Sequence, residues 1–239
     1  MYLLKSGIRY FILSQASVIL GATMEENKEN NGILVFLAFL ILIWLVKFSE
    51  NLFGFSLVKY GVSPGEISGL WGILFAPLIH VNYGHLLSNS LPLLILGSAL
   101  FYFYPSAAMK VFLSVYFIPN ILLWFTGRSA YHIGASGIVY GLVTFIFFSG
   151  IIRRDVRSIG LSLIVTFLYG SFVWGVLPLD NKVSWESHLF GAITGIVCAF
   201  IFRKKDPYKK YKWEDEEEDT DADEKPEISY TKGYPWDDE

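Results

Sequence analysis

Six stretches of 14 to 21 residues, at 33–46, 86–104, 107–125, 133–152, 159–179 and 189–202, hold one charged side chain between them, Lys110. Few features constrain a chain more. A helix crossing a bilayer core needs about 20 apolar residues, within a range of roughly 17–25. In lipid the backbone must also satisfy its own N–H and C=O groups, which leaves helices and closed barrels. Four of the runs reach that length unaided. The first and last reach it by taking in flanking polar residues, with Lys47 and Arg203 snorkelling to the interface. The composition agrees: 53% hydrophobic and 17% charged residues are rarely combined in a soluble domain. The expectation is an all-α membrane protein with six transmembrane helices in one domain, 32–206.

Around that domain the sequence divides into unlike pieces. Residues 1–31 form an N-terminal segment whose early part loosely resembles a signal peptide. Met24 opens the polar stretch "MEENKENNG" and is an alternative start, in which case 1–23 is an over-extended reading. At the other end, 214–239 carry 13 of the 22 acidic residues and 2 of the 19 basic ones, so 1–213 bear a net charge of +8. The tail, 207–239, has the acidic, aliphatic-poor composition of a disordered segment. Lys and Arg gather in one set of loops: Lys110, Arg153, Arg154, Arg157 and the 203–212 cluster. The positive-inside rule puts those loops, and both termini, in the cytoplasm. The expected location is multi-pass in the cell's cytoplasmic membrane, if the cell is bacterial. The long segment between the first two spans contains "GEISGLWGILFAPLIH", too broken by Gly and Pro to cross and too apolar for a solvated loop. An in-plane interfacial segment is expected there.

Three polar clusters interrupt the apolar pattern. "HVNYGHLLSN" holds His80, His85 and Asn89, "GASGIVYG" holds Ser136 and Tyr140, and "SHLFGAITG" opens the last run with His188. Singly, each has a bland explanation. A serine in a span usually bonds a backbone carbonyl of its own helix, an asparagine can join helices, and a histidine can sit at the interface. Together they fall at the same membrane face, because they open the second, fourth and sixth runs, which cross in the same sense. Gly137 and Gly141 are four apart, as are Gly191 and Gly195. Such small-residue rows let helices approach closely in lipid, which would bring Ser136 and His188 to similar depth. A serine beside a histidine is a nucleophile with its general base. Ser136 also falls at a helix start, where unpaired backbone N–H groups can hold an oxyanion, with Asn89 and His85 as side-chain donors. Tyr140, one turn below Ser136, is placed to pack on the His188 ring.

These motifs jointly resemble the rhomboid intramembrane serine proteases: H-x4-H-x3-N at His80, His85 and Asn89, GASG-x2-Y from Gly134 to Tyr140, and H-x2-G-x3-G at His188, Gly191 and Gly195. The resemblance spans roughly 32–205 and implies a six-helix rhomboid-like bundle. By it, Ser136 is the nucleophile, His188 the base, Asn89 and His85 the oxyanion donors, and Tyr140 the ring that stacks on His188. Gly134, Gly137, Gly191 and Gly195 are then the supporting glycines. It implies cleavage of single-span membrane proteins near the outer face. One departure is the absence, in the segment around Glu66 and Trp71, of the Trp-Arg pair that many members carry.

Other classes fit less well. No H-E-x-x-H or Cys/His spacing suggests a metal, and the single cysteine, Cys198, reads as core. No cofactor is expected, and partners are the lipid bilayer and protein substrates rather than nucleic acid or nucleotide, there being no G-x4-G-K-[ST] loop. The alternatives are a polytopic transporter or channel, or an inactive client-binding rhomboid relative. A dyad rather than a triad is expected, because Asp180 lies in a loop and Glu186, two residues before His188, should point away from it.

Overall fold

The computed structural model describes residues 34–180 and 183–206. The alternative start at Met24 and the acidic tail lie outside the described residues. Among the described residues there are seven α-helices: α1 Leu34–Phe53, α2 Trp71–Phe75, α3 Tyr83–Phe103, α4 Ala108–Thr126, α5 Ser136–Arg153, α6 Val156–Tyr169 and α7 Trp185–Ile201. A 3₁₀ segment, Gly170–Val176, continues α6. Among the described residues there is no strand, only an isolated antiparallel bridge between Val62 and His132.

Helices α1, α3, α4 and α5, and α6 with its 3₁₀ continuation, are long and apolar enough to cross a membrane. The chain is therefore a multi-pass integral membrane protein. The sixth run behaves differently. Helix α7 has 17 residues, about 25 Å at 1.5 Å per residue against a hydrocarbon core of about 30 Å. It starts only at Trp185, after Ser184 has been drawn into a hydrogen bond with the buried His132 ring (2.7 Å).

Helix α1 takes in the polar residues beyond its apolar run, as expected. It runs on past Val46 to Phe53 and stops at Gly54, whose φ of +67° is the left-handed conformation that ends helices. Lys47 therefore does not snorkel. Its side chain is 14% exposed, and its ammonium donates to Glu50 Oε2 (3.2 Å) and to the carbonyls of His80 (2.9 Å) and Val81 (3.0 Å). Those three bonds match the three N–H donors of a lysine.

The segment between α1 and α3 is a chain of short turns: 3₁₀ helices at Val58–Tyr60, Ile67–Leu70 and Ala76–Leu78, with α2 among them. It is fastened to the 127–135 connection by two bonds between the Val62 and His132 backbones (both 2.9 Å) and by the Gly134 N–H to the Ala76 carbonyl (2.9 Å). Asn82 caps α3 by accepting from the His85 N–H at 2.8 Å. The apolar core lies where α1, α3, α4 and α5 meet, around Phe36, Leu93, Leu100, Val111, Leu142 and Phe145. At the far end of α5, Arg153 donates to the Asp206 carbonyl (2.6 Å) and to that of Lys205, and lies 4.6 Å over the Tyr104 ring. The Asp206 carboxylate receives the Ser106 and Ala107 N–H groups (2.7 and 3.1 Å), satisfying donors ahead of α4.

Candidate active site

Helices α5 and α7 pack through glycine. A Cβ at Gly191 would overlap the Gly137 carbonyl, and one at Gly195 the Gly141 carbonyl and the Thr144 hydroxyl. A Cβ at Gly137 would lie 2.7 Å from Ser187 Oγ. With the backbones in contact, Thr144 donates across the interface to the Ala192 carbonyl (2.9 Å). Side chains in the first turns of the two helices are thus forced to the same place. Ser136, the first residue of α5, and His188, in the first turn of α7, meet there: Oγ and Nε2 are 2.8 Å apart. Ser136 does not bond back to its own helix as an ordinary serine in a span does.

The histidine is held on three sides. Tyr140 stacks on its ring at 4.1 Å between centroids and 9° between planes. Its Nδ1 lies 2.9 Å from the Gly175 carbonyl, and the residue is 7% exposed. Glu186 does not reach it for a hydrogen bond. That carboxylate is buried, not merely turned outward, and pairs with Arg128 (Oε1 to Nε, 3.6 Å), which also donates to the Val183 carbonyl at 2.7 Å.

The loop before Ser136 is shaped by its neighbours. Gly134 sits at φ +111°, where an L side chain is strained, and a Cβ there would come 2.7 Å from His85 Cε1. His85 packs edge-on to His80 at 5.1 Å. His80 Nε2 accepts the Ala135 N–H at 3.4 Å. That bond needs a lone pair on Nε2, and the His80 pKa is held down at about 4, mainly by burial, with the nearby His85 and Lys47 charges adding to it. Asn89 is buried and donates one N–H to the His85 carbonyl (3.0 Å); its amide carries two. In the first turn of α5 the Ser136 N–H has no intrahelical acceptor.

Three contributors were not singled out from the sequence. His132 is buried and bridges Ser184 Oγ (2.7 Å) and the Arg128 carbonyl (3.0 Å), tying the start of α7 to the loop before α5. A Nε2 beside a carbonyl must donate, so Nδ1 accepts from Ser184 in the neutral ring. Lys47 fixes the backbone that carries His80. Gly175 supplies a carbonyl. Among the described residues no cluster of His, Cys, Asp or Glu has the arrangement of a metal site.

Residues 68–205 match the family model of the rhomboid domain, which covers more than half of the chain. The chain belongs to the rhomboid family. This rhomboid is 34% identical over 174 residues to an uncharacterised protein of Mycobacterium bovis, covering 69% of this chain and 72% of the relative. An uncharacterised protein of Mycobacterium leprae is 35% identical over 180 residues, 71% of each chain. YdcA of Bacillus subtilis, provisionally named a rhomboid protease, is 30% identical over 152 residues, 61% of this chain and 74% of its own. The region matched by the family model begins after α1, so Lys47 and Glu50 stand outside it.

Proposed function

We propose that this rhomboid is an intramembrane serine endopeptidase working through a Ser136–His188 dyad. The observation that carries the reading is the 2.8 Å contact between Ser136 Oγ and His188 Nε2, within the hydrogen-bond reach a nucleophile and its base require. Oγ attacks the scissile carbonyl carbon as its proton passes to Nε2. The same proton then goes to the leaving amine, and His188 next deprotonates the water that hydrolyses the acyl-serine. The negative oxygen of the tetrahedral intermediate takes the Ser136 N–H and the second N–H of Asn89, with His85 beside them. No metal or cofactor enters these steps.

The basic residues near Arg153 and at 203–212 support a site at the outer face, with both termini in the cytoplasm. In this reading α7 is the sixth span, its short length matched by a thinned bilayer or by a start below the surface. The exposed Phe53, Ile67, Trp71 and Leu74 support an interfacial position for the segment after α1. Substrates are single-span membrane proteins. The test is cleavage of a single-span model substrate by the purified protein in lipid. Cleavage near the outer end of the span by wild type and none by Ser136→Ala is expected; equal cleavage by the two would remove Ser136 from the chemistry.

A further inference from the structure

The best-characterised serine hydrolases use a buried carboxylate to hold the far nitrogen of the catalytic histidine. Here that nitrogen faces a peptide carbonyl. A carbonyl oxygen can only accept, so the 2.9 Å contact between His188 Nδ1 and Gly175 requires the proton on Nδ1. In the neutral ring this leaves Nε2 with its lone pair toward Ser136, the tautomer a base needs. The carbonyl arrives where it does because residue 175 has no side chain. A Cβ there would overlap the Tyr140 hydroxyl, lie 2.9 Å from Cζ of the same ring, and come 3.3 Å from His188 Nδ1.

The segment that carries this carbonyl is the 3₁₀ continuation of α6, the span with the least buried surface. It is held by few contacts. Phe172 packs on Tyr140 and on Tyr169, each at 5.3 Å between ring centroids. Beneath it lies a cavity of about 360 Å³ bounded by Tyr140, Phe147, Val165, Tyr169 and Phe172. Ring, carbonyl and base therefore form one stack, and its outermost layer has room to shift.

We propose that the Gly175 carbonyl is the positioning partner of His188, standing where a triad has its carboxylate, so that the base is set for chemistry only while the 3₁₀ segment stays docked. This rests on the dyad reading above. The proton never moves to Gly175. It stays on Nδ1 while Nε2 receives the Ser136 proton, and the imidazolium that forms gains a stronger bond to the carbonyl dipole. A neutral acceptor stabilises that cation less than a carboxylate does, and turnover is slower than in a triad for that reason.

The test uses the full chain with ¹⁵N-labelled histidine in lipid nanodiscs, the His188 signals being assigned by their loss in His188→Ala. In wild type at neutral pH, His188 is expected as the Nδ1–H tautomer. Gly175→Ala is expected to leave a tautomer mixture and to slow labelling of Ser136 by a serine-hydrolase probe at least about tenfold. Gly175→Ala combined with Tyr140→Phe, which removes the hydroxyl the new methyl strikes, is expected to recover part of both. A wild-type His188 carrying its proton on Nε2 would overturn the proposal, as would a Gly175→Ala protein with wild-type tautomer and rate. The tautomer is read without any activity. Failure of the dyad reading shows separately, as absent Ser136-dependent labelling in wild type.

Discussion

Helices α5 and α6 follow one another with only two residues between them, yet they are held in opposite ways. In α5, 56% of an 18-residue stretch is buried, against 17% along Val156–Val176. The α5–α7 contact is backbone on backbone, glycine against carbonyl, with no room for a methyl group. The α5–α6 contact is drawn close near the connection, where a Cβ at Gly150 would strike Ser162 Oγ and the Ser158 carbonyl, and is held there by one polar latch. Arg154 turns the chain at φ +59°, Asp155 caps α6 by accepting from Ser158, and Ser162 donates to the Phe147 carbonyl at 3.0 Å. Past that latch the two helices part around a cavity. The rigid pairing holds both members of the dyad, whereas the looser one contributes a single carbonyl. In the proposed reading, nucleophile and base need sub-ångström placement, while a substrate must also be admitted among the helices. Putting the two demands on different helix pairs meets both.

The largest way to break the rigid half short of removing the dyad is Asn89→Ala. In the proposed role it deletes a donor to charge that exists only in the transition state, and turnover on a model substrate is expected to fall about 10²–10³-fold with insertion and purification unchanged. Unaltered turnover takes Asn89 out of the site.

The comparison itself is sharpened by making one substitution on each side. Gly191→Ala drives a methyl into the Gly137 carbonyl and is expected to lose about 1–3 kcal/mol of stability. At Gly160, in α6, a Cβ meets nothing within 4 Å, and Gly160→Ala is expected to be neutral or to gain up to about 1 kcal/mol. Unfolding of both in the same detergent decides it. Equal losses would mean that α6 is packed as tightly as α7.

The smallest effects are expected from the carboxylates. Glu186→Gln and Asp180→Asn should stay within about threefold of wild type, because His188 Nδ1 is already bonded to Gly175. A fall as deep as that of His188→Ala, in a folded protein, would install a triad in place of the dyad.

What the sequence could disclose follows from where its information lies. Ser136 and His188 are rare polar groups in apolar runs, and four-residue glycine spacing already sets α5 against α7, so their meeting is legible before any coordinates. Gly175 is not, because a backbone carbonyl leaves no trace in residue identity and "GSFVWGV" reads as an ordinary piece of span. Lys47 was misread for a related reason. Lysine at the edge of an apolar run usually snorkels, and only the fold reveals two carbonyls of another segment converging on it beside Glu50 of its own helix. The start of α7 was not legible because the residues ahead of its apolar run say nothing about the hydrogen bond between His132 and Ser184. Helix existence came from hydropathy, whereas helix ends came from capping contacts made across the chain.

The central claim is that Ser136 is activated by His188 within this contact. It is tested most directly by the rate at which a mechanism-based serine-hydrolase probe labels the purified protein in detergent, compared across wild type, Ser136→Ala, His188→Ala and the double variant. The account predicts labelling of wild type alone, at Ser136, with each single variant at background and the double no lower, because the two groups act as a unit. Labelling of His188→Ala at the wild-type rate would contradict it.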